Sequence, residues 1–505
     1  MSRTPFMQLL RRALAKADHD SSRRTFLRNA AMAGAALSVP SVLSGCLRPS
    51  DINVDHSVRV AIVGGGLAGL HAAWLLRNRG VNVDVYEGSR RLGGRVLTAR
   101  DLLVQGTWTE LGGEFIDSGH GDMLSLAKTF GIELIDTEST RLGSDDTFYF
   151  HGQHYTMDDV VREISPFLER IHDDVGRLPL SLRDLKESPA KSLDSTSLES
   201  YLVSLGVSGW IRSFIEVAFV TENGLELGEQ SALNFITMVS TDATDGNFHA
   251  FGASDERFVV KGGVQQITDR LAEGLQKSIH TGHMLSRVQE TGSKYMLTFR
   301  TDTTSVDVLA DHVVLALPFT MLRDVALNVE MPEIKKRAIS ELRYGTNGKV
   351  LIGFEEPYWR KGDHNGSMLT DLPLQLVWDN TYLHDVKGAG LTMFYGGSMS
   401  RIIGGMTKDK AADMMMENLQ TVWPELSGVR RGRAERMHWP TQPFVQASYS
   451  AYGPGQWTDF FGVEGASVGN LHFAGEHCSE QHKGYMNGAA ETGRYAAEKI
   501  LATMA

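Results

Sequence analysis

Cysteine is almost absent from this sequence, because Cys46 and Cys478 are the only two among 505 residues. Two cysteines form one disulfide at most, which excludes the small secreted domains that are held together by several disulfides. If Cys46 is cleaved off or modified, no internal disulfide is left. A hydrophobic core must therefore hold the fold, and a chain of this length predicts two intertwined domains.

Positive charge is also scarce. The chain has 50 lysines and arginines against 61 aspartates and glutamates, a formal net charge of −11 and a pI near 5.9. This balance argues against a nucleic acid as partner, because a polyanion binds to clustered positive charge. It is compatible with a cationic substrate. The sequence predicts no metal site.

A long apolar run is missing as well. The uncharged stretch at residues 30–45 is too short and too weakly apolar for a membrane span. It follows Arg23 and Arg24 and ends in Leu43-Ser44-Gly45-Cys46, an order that resembles a twin-arginine signal with a lipobox.

We therefore expect residues 1–46 to be an export signal that engages the Tat export machinery. The mature protein would then be periplasmic, or held to the membrane by a lipid anchor on Cys46. A basic amphipathic helix is the alternative for the arginine segment. An ordinary cleavage region with an incidental cysteine is the alternative for the lipobox.

Glycine, by contrast, is abundant at 52 residues, and it is concentrated where a strand–turn–helix–strand pattern begins. Residues 58–63 and 81–86 are predicted strands, residues 67–79 a helix, and the turn between them fits G-x-G-x-x-G. The first glycine makes the turn, the second admits a pyrophosphate and the third lets helix meet strand. An acid eighteen residues past the last glycine can accept both ribose hydroxyls. The residues predicted to contact a dinucleotide here are Gly64, Gly66, Leu67, Ala68, Gly69, Glu87 and Gly88.

The middle of the chain is predicted to be mostly helical. Helices are expected at residues 123–130, 157–171, 198–219 and 231–238, with a polar connection over residues 178–197. Strands are expected at residues 295–301, 312–317, 350–354, 391–395 and 471–474, and a final helix at residues 486–501.

The segment after Glu87 distinguishes FAD from NAD. Arg91-Leu92-Gly93-Gly94-Arg95 and Thr98 resemble the R-x-G-G-R-x-x-T extension of the flavin amine oxidase family. The two glycines let a loop lie against a long cofactor, and Arg95 can pair with its pyrophosphate. Four further segments resemble the family, at residues 110–115, 258–271, 471–476 and 484–489.

The resemblance implies an α/β protein in which a Rossmann-type FAD-binding domain is intertwined with an α+β substrate-binding domain, the amine oxidase fold. The FAD-binding domain would comprise residues 57–115, 251–322 and 437–505. The substrate-binding domain would comprise residues 116–250 and 323–436. Further contacts with FAD are expected from Gly112, Gly113, Glu114, Val288, Gly475, Glu476, Tyr485 and Met486.

Three residues are the expected catalytic groups. Lys349 matches the family lysine that approaches flavin N5 through a water, where a cation stabilises charge passing to dioxygen. Tyr449 and Tyr485 match an aromatic pair around the substrate nitrogen. Ser448 stands where covalent members carry the flavin-linking cysteine, so FAD is expected to be bound without a covalent bond.

The expected reaction is oxidation of an amine C–N bond to an imine, with dioxygen reduced to hydrogen peroxide. Phe115 stands where some L-amino-acid oxidases have a carboxylate-binding arginine, which favours amines, although Arg257 could be recruited instead. Glu114, Asp117 and Asp379 are candidates for reading a second positive charge on a diamine. An L-amino-acid oxidase, a desaturase acting on C–C bonds and a non-catalytic FAD-binding protein are the alternatives.

Overall fold

The structure is a computed structural model that describes residues 57–137, 146–239 and 255–504. The expected export signal and Cys46 lie outside the described residues. The strands are β1 (Arg59–Val63), β2 (Asn82–Glu87), β3 (Thr98–Arg100), β4 (Trp108–Glu110), β5 (Leu134–Asp136), β6 (Thr147–Phe150), β7 (Gln153–Tyr155), β8 (Phe258–Val260), β9 (Ile279–Thr281), β10 (Met284–Thr291), β11 (Lys294–Arg300), β12 (Ser305–Ala310), β13 (His312–Leu315), β14 (Ala326–Asn328), β15 (Gly348–Phe354), β16 (Met368–Thr370), β17 (Leu376–Asp379), β18 (Ala389–Tyr395), β19 (Ala434–His438) and β20 (Leu471–Phe473).

The helices are α1 (Leu67–Asn78), α2 (Gly121–Phe130), α3 (Met157–Ile164), α4 (Leu168–Val175), α5 (Lys191–Asp194), α6 (Leu198–Leu205), α7 (Gly209–Asn223), α8 (Ala232–Val239), α9 (Gln265–Glu273), α10 (Phe319–Leu322), α11 (Glu333–Glu341), α12 (Gly397–Gly404), α13 (Lys408–Val422), α14 (Gln456–Phe460) and α15 (Met486–Met504). Within the described ranges, no helix combines the length and hydrophobicity needed to cross a membrane.

A parallel sheet of five strands, in the order β20-β13-β1-β2-β9, forms the first half of the molecule. Its central strand β1 is apolar and buried from Val60 to Val63, as expected for a strand covered on both faces. Helices α1 and α15 cover one face together. Gly493 permits their contact, because a Cβ there would lie 2.3 Å from the carbonyl oxygen of Ala68.

A mixed sheet of seven strands, in the order β19-β15-β18-β17-β16-β6-β7, forms the second half. Apolar side chains of α13 cover one part of it, and the helices between residues 157 and 239 pack on another. Strand β15 lies inside the sheet, with β18 on one side and β19 on the other. Any side chain on β15 is therefore held firmly.

The two sheets draw on separated stretches of the chain, as intertwined domains require. All five strands of the parallel sheet fall within the ranges expected for the FAD-binding domain. However, β14 lies beyond residue 322 and still pairs with β10. Helix α2 lies beyond residue 115, and its Met123 packs in the core of the parallel sheet. The exact domain boundaries stay a prediction.

Two expected long helices are each broken into two. The helix expected at residues 157–171 is interrupted at Ser165–Phe167, because Pro166 lacks the N–H that a continuous helix needs. The helix expected at residues 198–219 ends at Gly206, which adopts a positive φ of 77°, and restarts at α7. The expected polar connection at residues 178–197 contains the short helix α5.

A buried carboxyl joins the β3–β4 hairpin to the start of α9. Glu110 accepts hydrogen bonds from the hydroxyl of Thr98 and the N–H of Val264, both at 2.8 Å. Burial raises the pKa of Glu110 to about 8, although the Val264 N–H opposes the shift; the negative charge of Glu114 adds to it. The carboxyl therefore keeps its proton at neutral pH.

We expect Glu110→Gln to gain thermal stability relative to the wild type as pH rises. The raised folded pKa stabilises the wild type fully below the unfolded value of 4.5, and this contribution is lost as pH rises through about 8. The amide cannot ionise, so the Tm difference should grow by several degrees between pH 4.5 and 8. Thermal unfolding over this range measures it, with the exposed Glu355→Gln as control. A Tm difference independent of pH would contradict the expectation.

Candidate active site

A cleft of about 470 Å³ lies where the two halves meet. It opens at the carboxyl ends of β1, β2, β13 and β20, which is where parallel α/β sheets bind ligands. Its lining comes from both halves of the molecule. The lining includes Gly64, Gly66, Leu67, Ala68, Glu87, Arg91, Arg95, Gly112, Gly113, Glu114, Phe115, Asp117, Asn347, Lys349, Trp378, Phe394, Ser448, Tyr449, Gly475, Glu476, Tyr485 and Met486.

The turn between β1 and α1 fits a pyrophosphate. Gly64 has a φ of +107°, and a Cβ at Gly69 would lie 2.0 Å from the carbonyl oxygen of Gly64, so both positions require glycine. A Cβ built on Gly66 would find its nearest atom at 3.9 Å, so open space lies in front of it. No side chain caps α1 and no acid stands in its first turn, which leaves its N-terminal N–H groups to an anion.

Glu87 closes this end of the cleft as the sequence predicts. Its carboxylate accepts the N–H of Gly65 at 2.8 Å and of Ser89 at 2.7 Å, which fixes it at the end of β2. Gly88 lies behind the lining, where a Cβ would come within 3.1 Å of Phe444. Val288 lies in the interior of the β10 sheet with its side chain fully buried in the core, so its side chain packs and does not reach the cleft.

Glu476 binds protein groups from three separate segments. It accepts Arg95 Nη1 at 2.8 Å, the hydroxyl of Ser450 at 2.8 Å and the N–H of Gly484 at 3.0 Å. Burial opposes its ionisation, but the Arg95 charge and these hydrogen bonds lower the pKa of Glu476 to about 2. Arg95 also donates to the carbonyl of Ser448 at 2.6 Å. The contacts of both with FAD stay predictions.

Three glycines let the chain pass close to its neighbours in the cleft wall. A Cβ at Gly112 would lie 1.8 Å from the carbonyl oxygen of Arg95, and one at Gly113 would lie 2.7 Å from the sulfur of Met486. Gly475 has a φ of +139°, a region that side chains rarely adopt. Gly112 and Gly475 therefore require glycine, whereas a side chain at Gly113 would displace the flexible side chain of Met486. Met486 begins α15, so the helix starts at the cleft.

Lys349 is buried on the interior strand β15, which excludes an exposed lysine at a strand edge. Its Nζ donates to the carbonyl oxygens of Glu110 at 2.9 Å and Gly112 at 3.1 Å, and to the carboxylate of Glu114 at 2.8 Å. An ammonium group has three N–H donors. All three donors therefore have protein acceptors in this structure, and the expected water between Lys349 and flavin N5 stays a prediction.

An aromatic wall stands beside this ion pair. The Trp378 ring lies 6.3 Å from Phe115 and 6.0 Å from Phe394, and its indole N–H donates to Glu114 at 3.1 Å. Trp378 and Phe394 were not among the residues predicted from the sequence. Strands β17 and β18 are buried along their whole length, so no alternation of polar and apolar residues marks the side chains that face the site.

Both expected tyrosines reach the cleft lining. Tyr449 donates its hydroxyl to the carbonyl of Glu222 at 2.9 Å, which fixes the ring from α7. The Tyr485 ring packs edge-on at 5.1 Å from His120. Burial and the nearby His482 lower the pKa of His120 to about 3, so that ring is neutral. Tyr485 thus has a polar but uncharged neighbour.

The three acids proposed as diamine readers lie in different surroundings. Glu114 lines the cleft, but both of its oxygens have partners. Asp117 lines the cleft and accepts the N–H of Glu256 at 2.8 Å. Asp379 is outside the lining and pairs with Arg360 at 2.7 Å. The structure therefore does not group them into one cation site.

The chain is similar to known flavin enzymes over most of its length. The family model described as flavin-containing amine oxidoreductase matches residues 67–501. The flavin-containing amine oxidase B of Canis lupus familiaris is 27% identical over 460 residues, which cover 88% of this chain and 86% of that protein. The Homo sapiens amine oxidase B is 26% identical over 466 residues, which cover 89% and 87%.

Two solved structures share the fold, and this confirms the expected fold class. Putrescine oxidase bound to putrescine has a TM-score of 0.75 at 21% identity, and cyclohexylamine oxidase from Brevibacterium oxydans has 0.76 at 22%. Each comparison covers 88% of this chain and 99% of the solved one. With the dinucleotide cleft described above, the cofactor is FAD and the enzyme oxidises amines. The chain belongs to the flavin-containing amine oxidoreductase family.

Proposed function

We propose that this enzyme oxidises the C–N bond of an amine to an imine and passes the electrons to dioxygen, which leaves as hydrogen peroxide. When bound, FAD supplies the two-electron acceptor for a hydride from the amine α-carbon. The imine then hydrolyses to a carbonyl compound and ammonia. The protein's part is to orient the neutral amine and to provide charge where dioxygen is reduced.

The observation that carries the proposal is the buried ammonium of Lys349 on the lining, fixed by three acceptors. A preorganised positive charge favours a step in which negative charge builds on dioxygen. A desaturase acting on C–C bonds does not need this charge. It also does not need the aromatic pair Tyr449 and Tyr485, which suits a nitrogen centre.

The arginines and lysines of the lining favour an amine over an amino acid. Arg95 pairs with Glu476 and Lys349 with Glu114, while Arg91 donates to main-chain carbonyls that include Leu92 at 2.9 Å. Each of these cations of the described lining therefore already has protein acceptors. Arg257, the other candidate for a substrate carboxylate, pairs with Asp136 at 2.7 Å outside the lining.

The related solved structures point the same way. They are a putrescine oxidase and a cyclohexylamine oxidase, and putrescine and cyclohexylamine are amines without a carboxylate. Ser448 donates its hydroxyl to Asn347 at 2.7 Å and offers no thiol for a link to the flavin. Cys478 donates to the carbonyl of Glu464 in the core and is outside the lining. This supports FAD bound without a covalent bond.

We expect the purified yellow protein to release hydrogen peroxide with monoamines or diamines and to be at least about a hundredfold less active on L-amino acids, because a carboxylate would lack a free cation. A coupled peroxidase assay over a panel of amines, polyamines and L-amino acids measures this. Anaerobic bleaching of the flavin by each substrate is the control for oxidation without peroxide release. Peroxide from L-amino acids alone would establish the alternative, an L-amino-acid oxidase.

We expect Lys349→Met to slow reoxidation by dioxygen by roughly a hundredfold or more, while anaerobic reduction by the amine changes much less. The ammonium acts where charge builds on dioxygen and is not needed for hydride transfer. Stopped-flow absorbance of each half-reaction measures the split. The exposed Lys410→Met serves as control. An unchanged reoxidation rate would remove the main support for an oxidase.

We also propose that the enzyme is exported by the Tat pathway and anchored through a lipid on Cys46. The order of Arg23 and Arg24, an uncharged stretch and Leu43-Ser44-Gly45-Cys46 supports this. Transport of a folded protein suits an enzyme that loads its cofactor before export.

We expect the double replacement of Arg23 and Arg24 by Lys to leave active enzyme in the cytoplasm. Cys46→Ala should move the enzyme from the membrane fraction to the soluble exported fraction. Cell fractionation with the activity assay measures both, and Arg28→Lys, outside the arginine pair, is the control. If both variants fractionate as the wild type does, the export proposal is wrong.

A further inference from the structure

We propose that Glu114 is the positioning residue of Lys349: its carboxylate keeps the ammonium charged and in place and joins it to Trp378 in the aromatic wall. This inference rests on the proposed role of Lys349 in the reaction with dioxygen. Glu114 lies four residues after Glu110 on the segment that forms one side of the cleft. Glu114 therefore binds the protein's own Lys349 and Trp378 and does not need a second positive charge on the substrate as its partner.

The ion pair is nearly dry. The side chain of Lys349 is 6% exposed and that of Glu114 is 14% exposed, at an N–O distance of 2.8 Å. The other two acceptors of Nζ are main-chain carbonyls, which carry no net charge. Within the described residues, Glu114 is thus the one carboxylate in ion-pair contact with Lys349.

A buried ammonium without a counter-charge loses its proton more easily, because desolvation penalises the charged form. Neighbouring Glu110 does not take over the role of Glu114. Its oxygens bind Thr98 and Val264, and burial raises the pKa of Glu110 to about 8, so it stays protonated at neutral pH. In the part of the chain that the structure describes, these two acids contact the Nζ of Lys349, Glu114 through its carboxylate and Glu110 through its main chain.

The second carboxylate oxygen of Glu114 also positions the aromatic wall on the substrate side of the cleft. It accepts the indole N–H of Trp378 at 3.1 Å, and the same ring lies 5.2 Å from Lys349 Nζ. One carboxylate therefore fixes both the cation and the ring that stands between Phe115 and Phe394. With both oxygens engaged, Glu114 is poorly placed to bind the distal ammonium of a diamine.

The test is a comparison of Glu114→Gln and Glu114→Asp with the wild type. Gln keeps the size and an acceptor but removes the charge. The reoxidation rate of Glu114→Gln should lie at least tenfold below the wild-type rate at pH 9 and closer to it at pH 6, because the ammonium of Lys349 has lost its counter-charge. Glu114→Asp, which keeps the charge, should restore most of the wild-type profile. A Gln profile that matches the wild type would overturn the proposal.

A second measurement uses the apo-protein and needs no turnover. Thermal unfolding of the wild type, Glu114→Gln, Lys349→Met and the double variant forms a double-mutant cycle. Glu114→Gln should lower the Tm by several degrees in the wild type and much less in the Lys349→Met background. The matched control cycle uses the ion pair of Glu133 and Lys261, whose atoms lie 2.9 Å apart and whose side chains are 64% and 54% exposed. Because this pair is exposed, its two substitutions should show little coupling. Additive shifts for Glu114 and Lys349 would overturn the inference.

The two proposals fail in different ways. If Lys349→Met leaves reoxidation unchanged, the proposed role of Lys349 fails, although the thermal cycle still reports on the ion pair. If Lys349→Met slows reoxidation while Glu114→Gln keeps the wild-type pH profile, the oxidase proposal stands and Glu114 is not its positioning residue.

Discussion

The buried carboxylate of Glu476 is the interaction on which the arrangement of the site depends. It binds Arg95, which lies hundreds of residues away in the sequence. It also binds Ser450 and Gly484, which are separated from it by loops. Ser450 follows Tyr449 and Gly484 precedes Tyr485, so the same carboxylate fixes the main chain beside both aromatic rings. Its pKa of about 2 keeps it charged, and a buried charge that lost these partners would be costly.

A second carboxylate, that of Glu464, links the same parts of the chain deeper in the core. Glu464 accepts hydrogen bonds from the hydroxyl of Tyr452 and, at 2.9 Å, from the Nζ of Lys483. These residues flank the same two tyrosine segments on the side away from the cleft. Together the two acids hold the chain next to Tyr449 and Tyr485 from the interior, where solvent does not weaken ion pairs and hydrogen bonds.

Local patterns predicted much of the fold and part of the site. The strand, glycine turn and helix at residues 58–79 follow from short-range sterics, and Gly64, Gly69 and Glu87 have the predicted positions. The helices predicted at residues 157–171 and 198–219 were too long. The apolar spacing continues across Pro166 and Gly206, whereas the helical backbone stops there. The side chain of Val288 packs in the core, and its expected contact with FAD stays a prediction. Trp378 was missed because nothing near it in sequence marks it as part of a site.

What the sequence determined by itself is therefore the chemistry that neighbouring residues can build: the phosphate turn, the ribose acid, and the replacement of a cysteine by Ser448. Only the tertiary structure decided which charged side chains pair with each other. Lys349 and Glu114 lie 235 positions apart, and Arg95 and Glu476 lie 381 apart. No periodicity connects such residues, because their contact depends on how two sheets close around one cleft. Charge pairing in that cleft follows from burial, and burial is a property of the folded chain alone.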